Sequence, residues 1–245
     1  MSVSEGLPEK FPNTFIVGAP KCGTSAMASY LSCHPNVFLP DVKEPFYWSM
    51  DYDRLRMRHS MTTLENYLKL FAHATDDHSV IVEGSTNYLA SAVAIEQILE
   101  HQPEAKFIAM LRNPVDVVHA FHSEILFSGI ETEPDFETAW RLQVKRKAGQ
   151  MIPKHCEAPQ FLRYADVASY APQLRRFFSL VPEKNRKVIL FDDFASDTGK
   201  SFREALGFLQ LPEYQKDTFE RVNASHDHRF KACLLYTSPS PRDRG

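Results

Sequence analysis

The chain has 245 residues, of which 43% are hydrophobic and 24% charged, a composition typical of a folded globular protein rather than a disordered or collagen-like one. Its 28 Lys and Arg residues against 31 Asp and Glu residues give a net charge of −3, which argues against a general polyanion binder, so we expect no nucleic-acid partner. The four cysteines are widely spaced and form no Cys-x-x-Cys pair, which favours a reducing compartment over a disulfide framework or a zinc ribbon.

The sequence shows no membrane-directed segment. No apolar run approaches the roughly 18 residues that span a bilayer, and the first ten residues lack the pattern of a signal peptide. We therefore expect a soluble, cytoplasmic protein, unless an anchor precedes this sequence. Residues 1–233 are expected to form a single domain, truncated near its end, because residues 234–245 are an abrupt Ser/Pro/Arg segment that resembles a translated sequencing adaptor. We expect this segment to be a disordered or artefactual tail.

Short apolar runs alternate along the chain with stretches of helical periodicity, which is the pattern of an α/β fold with a parallel sheet flanked by helices on both faces. The predicted strands lie within residues 15–17, 37–39, 80–82, 106–111 and 188–191. The predicted helices lie within residues 26–31, 64–72, 95–99, 114–127, 135–147 and 166–180. Thr62 and Glu65 form a capping-box signature for the second of these helices. Asn113 is predicted to cap the fourth, with Pro114 at its first position.

The loop after the first predicted strand reads GAPKCGTS, residues 18–25. A strand, a glycine-bounded loop and a helix N-terminus in this order form an anion site, because unpaired backbone N–H groups converge there and the helix dipole favours negative charge. In the P-loop of kinases and nucleotide hydrolases, the lysine directly follows the second glycine. Here Thr24 follows Gly23, and Lys21 lies two positions before it. A P-loop kinase or nucleotide hydrolase is therefore disfavoured, and it stays the alternative.

The pattern Gly-x-x-Lys-x-Gly-Thr-Ser resembles the 5'-phosphosulfate loop of the sulfotransferases that use 3'-phosphoadenosine-5'-phosphosulfate (PAPS). Further segments resemble the same family, nearest to its bacterial and polysaccharide-acting branch, in order along about residues 12–230: LSCHPNV at 31–37, KEPFYW at 43–48, EGSTNY at 83–88, LRNPVD at 111–116 and YAPQL at 170–174. The resemblance implies a P-loop-like sulfotransferase fold. It also implies transfer of a sulfuryl group from PAPS to a hydroxyl or amine of an acceptor, carbohydrate or small molecule, with adenosine 3',5'-bisphosphate (PAP) as the product.

The resemblance further implies which residues bind the donor. Lys21 would neutralise charge on the oxygen between the phosphate and the departing sulfuryl group, and Arg112 would bind the 3'-phosphate. The complete predicted donor site is Gly18, Lys21, Cys22, Gly23, Thr24, Ser25 and Arg112. The family usually has a serine eight residues after this arginine, whereas this chain has Ala120, with His119 and Ser123 as candidates to replace it. No metal is then required, and we expect none.

An acceptor that attacks sulfur must lose a proton, so a base within hydrogen-bond reach is expected. Glu44 matches the base of the polysaccharide-acting branch, and we predict that it acts with Lys21 as the catalytic pair. The plainer interpretation is a surface carboxylate paired with Lys43. His34, the other nearby candidate, is predicted to satisfy backbone groups of a turn before Pro35.

The acceptor side of the site is predicted from the EGSTNY segment. The residues predicted to bind the acceptor are Glu83, Ser85 and Tyr88. Relatives often carry a lysine where this chain has Gly84, so acceptor specificity is expected to differ. The aromatic residues 46–48 fit an acceptor pocket and a hydrophobic core equally well.

Two further questions stay open in the sequence. The cluster Lys145–Lys147 at the end of a predicted helix is interpreted as a solvated face favoured by the helix dipole. Because Ala120 replaces a donor-binding serine, a catalytically inactive relative that only binds a nucleotide or a glycan is a third alternative. The sequence identifies neither the acceptor nor the oligomeric state.

Overall fold

The computed structural model describes residues 10–58, 60–154 and 156–220. Residues 222–230, at which the family resemblance implies the start of a segment that would close over the donor, lie outside the described residues. So does the predicted tail at 234–245. The single domain over residues 1–233 therefore stays a prediction.

In the part of the chain that the structure describes, five parallel strands form one sheet in the order β2-β3-β1-β4-β5. They are β1 (Thr14–Gly18), β2 (Val37–Phe38), β3 (Val80–Gly84), β4 (Lys106–Leu111) and β5 (Arg186–Leu190). Every residue of the central strand β1 is buried. A strand covered by helices on both faces needs apolar residues on both sides, which explains why β1 and β4 appear in the sequence as continuous apolar runs.

Helices connect and cover these strands. They are α1 (Thr24–Leu31), α2 (Asp53–Arg58), α3 (Leu64–Lys69), α4 (Ala94–His101), α5 (Pro114–Phe127), α6 (Phe136–Lys147), α7 (Tyr164–Ala168), α8 (Tyr170–Leu180), α9 (Phe191–Ser196) and α10 (Thr198–Leu209). The predicted α/β fold class is confirmed. Within the described residues, no helix is both long enough and apolar enough to cross a bilayer.

The strand order places helices on both faces of the sheet. The chain crosses the sheet in one direction from β1 to β2 and in the other from β2 to β5. Because such crossovers are right-handed, α1 lies on one face, and α4 and α8 lie on the other. In agreement, α1 packs against α10, and α4 packs against α8.

The same topology defines where a ligand would bind. The connections after β1 and β4 leave these neighbouring strands in opposite directions across the sheet. In open parallel sheets, ligands bind in the crevice at the carboxyl ends of such a pair of strands. The GAPKCGTS loop follows β1 and Arg112 follows β4, so both predicted donor-binding segments lie at this edge.

Two helix predictions were wrong in detail. The cap of α3 is Thr63, whose side chain accepts a hydrogen bond from the backbone of Asn66, and not Thr62. The single helix predicted over residues 166–180 is divided into α7 and α8. In a continuous helix, the ring of Pro172 would collide with the carbonyl of Ala168, which is the last residue of α7.

A second, smaller core lies beside the sheet and is built by α5, α6 and α7. Its apolar residues include Val118, Phe121, Ile125, Ala139, Leu162 and Tyr164. At its centre, the buried Arg146 donates two hydrogen bonds to Glu131, at 2.6 and 2.8 Å, and the Tyr164 hydroxyl donates a third at 2.6 Å. The interpretation of residues 145–147 as a solvated face is therefore wrong for Arg146, because this side chain is buried and paired with the buried Glu131.

Candidate active site

The loop between β1 and α1 depends on unusual backbone conformations. Gly18, Lys21 and Gly23 have positive φ angles of 150°, 62° and 85°. A Cβ atom at Gly18 would lie 2.7 Å from the carbonyl oxygen of Thr86, and one at Gly23 would lie 3.1 Å from the ring of Phe194. Both positions therefore require glycine, for conformation and for close packing.

The N-terminus of α1 faces this loop without a side-chain cap. Gly23 is its N-cap residue and forms no side-chain hydrogen bond, and the first turn contains no acidic residue. The N–H groups of the first turn and the positive end of the helix dipole are thus available to an anion. The side chain of Cys22 is fully buried, and burial raises the pKa of its thiol to about 11, so the predicted role of Cys22 in the anion site would fall to its backbone.

Arg112 follows β4 and precedes α5. Asn113 caps this helix by accepting a hydrogen bond from the backbone of Val115 at 3.0 Å, as predicted. The Arg112 guanidinium lies 4.8 Å from the centroid of the Phe191 ring, and its Nη2 atom is 3.4 Å from Asp116 Oδ2. Its Nε atom is buried and has no hydrogen-bond partner among the described residues. A buried donor without an acceptor is costly, so this group fits an anionic ligand such as a phosphate.

Lys21 and Ser25 of the loop contact side chains from other elements. Lys21 Nζ lies 3.1 Å from Glu124 Oε2 of α5, and Lys43 Nζ donates a hydrogen bond to Ser25 Oγ. The loop is therefore joined by polar contacts both to α5 and to the segment that carries Glu44.

Glu44 lies within reach of these charges. The backbone of Glu44 has a positive φ angle of 54°. The Thr86 Oγ1 atom donates a hydrogen bond to Glu44 Oε2 at 3.2 Å. Burial raises the pKa of the Glu44 carboxyl, and Glu124 raises it further, although Lys43, Thr86 and Lys21 act in the opposite direction. The predicted base and the predicted catalytic lysine thus belong to one cluster of charged side chains.

The structure places Glu83 and Ser85 beneath this cluster. Glu83 is fully buried, and it accepts hydrogen bonds from Ser85 Oγ at 2.7 Å and from the Tyr67 hydroxyl at 3.2 Å. Ser85 Oγ also accepts a hydrogen bond from the backbone of Phe46 at 3.1 Å. Burial raises the pKa of Glu83 to about 7.

Tyr88 belongs to the same layer. It is fully buried, and its hydroxyl accepts a hydrogen bond from the backbone of Trp48 at 3.3 Å. The aromatic residues 46–48 are buried as well, which favours the core interpretation of these residues. Glu83, Ser85 and Tyr88 therefore support the segment that carries Glu44, and their direct contact with an acceptor stays a prediction.

The neighbouring histidines have different roles. His34 Nδ1 accepts a hydrogen bond from the backbone of Asn36 at 3.1 Å, and its Nε2 lies 3.3 Å from the carbonyl oxygen of Pro212, which confirms the predicted turn histidine. The exposed His119 packs its ring 4.1 Å from that of Phe136. Whether His119 or Ser123 replaces the missing serine stays a prediction.

Sequence reasoning missed Thr86 and Glu124. Thr86 lies inside the EGSTNY segment, and its position after β3, beside β1, could have indicated that it reaches the loop. Glu124 lies in the middle of a helical stretch and carries no motif that would single it out. Among the described residues, no three His, Cys, Asp or Glu side chains are grouped so as to hold a metal ion.

Comparisons with known proteins agree with this geometry. A profile described as the sulfotransferase family matches residues 12–216. The crystal structure of a sulfotransferase from Alicyclobacillus acidocaldarius is similar with a TM-score of 0.74 and 26% identity, over 93% of this chain and 91% of that one. Mouse sulfotransferase SULT7A1, solved as a complex with PAP, shares the fold alone, with a TM-score of 0.50 and 17% identity over 86% of this chain and 66% of that one.

Two similar proteins are named as carbohydrate or heparan sulfate sulfotransferases. Carbohydrate sulfotransferase 15 of Rattus norvegicus is 24% identical over an alignment of 269 residues, gaps included, which covers 89% of this chain and 47% of the relative. Heparan sulfate glucosamine 3-O-sulfotransferase 3B1 of Homo sapiens is 23% identical over 203 residues, which cover 83% of this chain and 47% of the relative. The chain thus spans about half the length of each of these relatives.

Proposed function

The chain belongs to the sulfotransferase family, and from this premise we propose that it transfers a sulfuryl group from PAPS to a hydroxyl or amine of an acceptor. The observation that carries the proposal is that the Lys21 loop and Arg112 follow the neighbouring strands β1 and β4 at one edge of the sheet, and that the Glu44 carboxylate interacts with Lys21 in the same cluster of charges. Sulfuryl transfer resembles phosphoryl transfer in that positioning and charge stabilisation supply most of the rate.

The chain offers two anion-binding groups to such a donor. The N-terminus of α1, which has no side-chain cap among the described residues, suits the 5'-phosphate, and the Arg112 Nε, which has no partner among them, suits the 3'-phosphate. The donor supplies a sulfuryl group that is already activated. Lys21, in the same loop as the α1 N-terminus, is proposed to stabilise the negative charge that develops as the sulfuryl group departs.

Glu44 is proposed as the general base. Its carboxylate accepts a hydrogen bond from Thr86 at one oxygen, which fixes its orientation and leaves the other oxygen for an acceptor proton. A pKa raised above the usual carboxyl value makes it a stronger base at neutral pH. Glu83, Ser85 and Tyr88 hold the Glu44 segment from below.

The acceptor is proposed to be a carbohydrate or a small molecule with a hydroxyl or amine. The names of the carbohydrate and heparan sulfate sulfotransferases among the relatives support the carbohydrate choice.

Thermal unfolding with PAP tests the donor site without a known acceptor. At about 100 times its dissociation constant, a ligand adds about 2.7 kcal/mol of stability, which for a chain of this size corresponds to a rise in Tm of about 5 to 10 °C. We expect this rise with PAP and none with ADP plus magnesium. A rise with magnesium-ADP alone would favour a P-loop kinase or hydrolase, and no rise with either would contradict the donor site.

Label transfer from PAPS to a panel of glycans and small hydroxyl or amine compounds then tests the reaction itself. Transfer to at least one acceptor, lost in the Lys21→Ala variant, is the expected result. PAP binding without transfer to any member of a broad panel would favour the inactive, binding-only alternative.

A further inference from the structure

Lys21 has a specific ionic partner in the structure. Its Nζ atom lies 3.1 Å from Glu124 Oε2, and the side chains of Lys21 and Glu124 are 27% and 48% exposed. Glu124 lies in α5, twelve positions after Arg112. The helix that begins beside Arg112 therefore also carries the ionic partner of Lys21.

Glu124 is the only carboxylate paired with Lys21 among the described residues, and it also affects the predicted base. Glu124 raises the pKa of Glu44, whereas Lys21 lowers it. Lys21, Glu44 and Glu124 therefore lie close enough together for a change at one of them to be felt by the other two.

A donor that binds this loop changes the charge balance. Its phosphate and sulfuryl oxygens are anionic, so they compete with the Glu124 carboxylate for the Lys21 ammonium and are repelled by that carboxylate. Because Glu124 is half-exposed, its side chain can turn to solvent at little cost.

We propose that Glu124 is a positioning residue that holds Lys21 through an ion pair and gives it up to the donor. Donor binding then exchanges a carboxylate oxygen for a donor oxygen at Lys21 Nζ, and Glu124 lowers donor affinity by competing for that ammonium. This inference rests on the proposed function, because it takes PAP and PAPS as the ligands of the loop.

The Glu124→Gln variant tests the exchange, with PAP affinity measured by isothermal titration calorimetry. Exposed ion pairs correspond to equilibrium effects of about two- to fivefold, so we expect PAP to bind about two- to fivefold more tightly to Glu124→Gln than to the wild type. In the Lys21→Ala background the same substitution is expected to give a smaller gain, because the ammonium for which Glu124 competes is gone and only the repulsion between its carboxylate and the ligand remains.

The chain offers a closely matched control. Lys187 and Glu204 form an ion pair with the same 3.1 Å separation and side-chain exposures of 21% and 50%, but Lys187 lies in β5 and Glu204 in α10, away from the loop. Glu204→Gln removes the same charge, and we expect unchanged PAP affinity.

The failures of the two proposals are distinguishable. If the wild type does not bind PAP, the proposed function is wrong and this inference falls with it. If the wild type binds PAP but Glu124→Gln binds it equally or less tightly, or if the gain is undiminished in the Lys21→Ala background, the proposed function stands and the exchange is wrong. An equal gain in Glu204→Gln would assign the effect to net charge and would also overturn the exchange.

Discussion

The guanidinium of Arg112 lies over the ring of Phe191, 4.8 Å from its centroid. The same ring would lie 3.3 Å from a Cβ atom at Gly23. Phe191 is the first residue of α9, so the start of this helix packs against both predicted phosphate-binding segments, the loop after β1 and the residue after β4. A planar guanidinium can stack on such a ring, whereas a lysine ammonium offers neither the plane nor the fork of donors.

Arg112→Lys should therefore weaken PAP binding although it keeps the positive charge. Loss of hydrogen bonds to a charged group costs about 1.5 to 3 kcal/mol, or roughly 10- to 100-fold in affinity. Calorimetric titration with PAP measures this change. Arg186, whose guanidinium lies 4.5 Å from the Phe178 ring centroid at the start of β5, provides the control, and Arg186→Lys should bind PAP like the wild type. Wild-type affinity in Arg112→Lys would remove Arg112 from the donor site.

Lys21→Ala should abolish sulfuryl transfer and leave the fold intact. Removing one group that stabilises developing charge typically lowers kcat by about 10²- to 10³-fold. The side chain is partly exposed and its ion pair with Glu124 lies at the surface, so the free energy of unfolding should change by less than about 0.5 kcal/mol. Label transfer from PAPS and urea unfolding measure the two effects, with Lys187→Ala as the matched control. Undiminished transfer by Lys21→Ala would contradict its catalytic role.

Gly23→Ala should destabilise the loop more than a positive φ angle alone would. Gly129 has a similar φ of 77°, but a Cβ there meets no atom within 4 Å. We expect Gly129→Ala to lower the free energy of unfolding by about 1 kcal/mol, and Gly23→Ala to lower it further and to weaken PAP binding, because its Cβ would press on Phe194. Urea unfolding of both variants measures the difference. Equal losses would show that α9 can move away from the loop.

Glu44→Gln should lose transfer while retaining PAP binding. General-base catalysis contributes about 10²- to 10⁴-fold, and an amide cannot accept the acceptor's proton. Since the base acts when ionised, the wild-type rate should rise with pH through the raised pKa of Glu44, and the acidic limb of the pH–rate profile should lie above the usual range of a carboxyl group. That limb should disappear from any residual rate of Glu44→Gln. A profile that is unchanged by the substitution would mean that another group is the base.

Glu83→Gln should change how stability depends on pH. Burial raises the pKa of Glu83 from 4.5 to about 7 in the folded chain, so the folded state binds the extra proton between these values, and the contribution of Glu83 to stability falls as pH rises through this window. The free energy of unfolding of Glu83→Gln minus that of the wild type at the same pH should thus be larger at pH 8 than at pH 5. Urea unfolding at both pH values measures this difference.

Glu131→Gln provides the contrast. Burial opposes ionisation of Glu131, but hydrogen bonds from Arg146 and Tyr164 outweigh it, and the pKa of Glu131 lies below its usual value. Its stabilisation is present above that usual value and is lost as the pH falls through the lowered pKa. Glu131→Gln should therefore be most destabilised at neutral pH. If Glu83→Gln showed this same pattern, the raised pKa of Glu83 would be wrong.

The parts of the fold that the sequence predicted are those with a strong local signal. The run 106–111 coincides with β4, and Asn113 with Pro114 marks the start of α5. The last strand was predicted two residues late, because it begins with Arg186 and Lys187. An edge strand tolerates charged residues at its start, and these carry no apolar pattern.

In the site, too, the sequence predicted the parts that carry a strong local signal. The family was recognisable from motifs that fall at strand ends, and the family match confirms it. Parallel strands carry such motifs to one edge, so the approach of the Lys21 loop to Arg112 could be expected. The contacts of Glu124 and Phe191 could not be predicted, because each arises where two elements pack together. Glu124 carries no motif, and Phe191 was predicted as the end of the last strand, whereas it is the first residue of α9.

Helix α5 contributes side chains to two hydrophobic cores. Val117 packs into the core around the sheet, and Val118, Phe121 and Ile125 pack into the smaller core. One helix thus connects three parts of the structure. Arg112 precedes its first turn, Glu124 lies near its C-terminal end, and the smaller core packs along its length. Any displacement of α5 would therefore move Arg112 and Glu124, the ionic partner of Lys21, at the same time. The packing of the smaller core thus sets the distance between two groups that lie on different sides of the predicted donor.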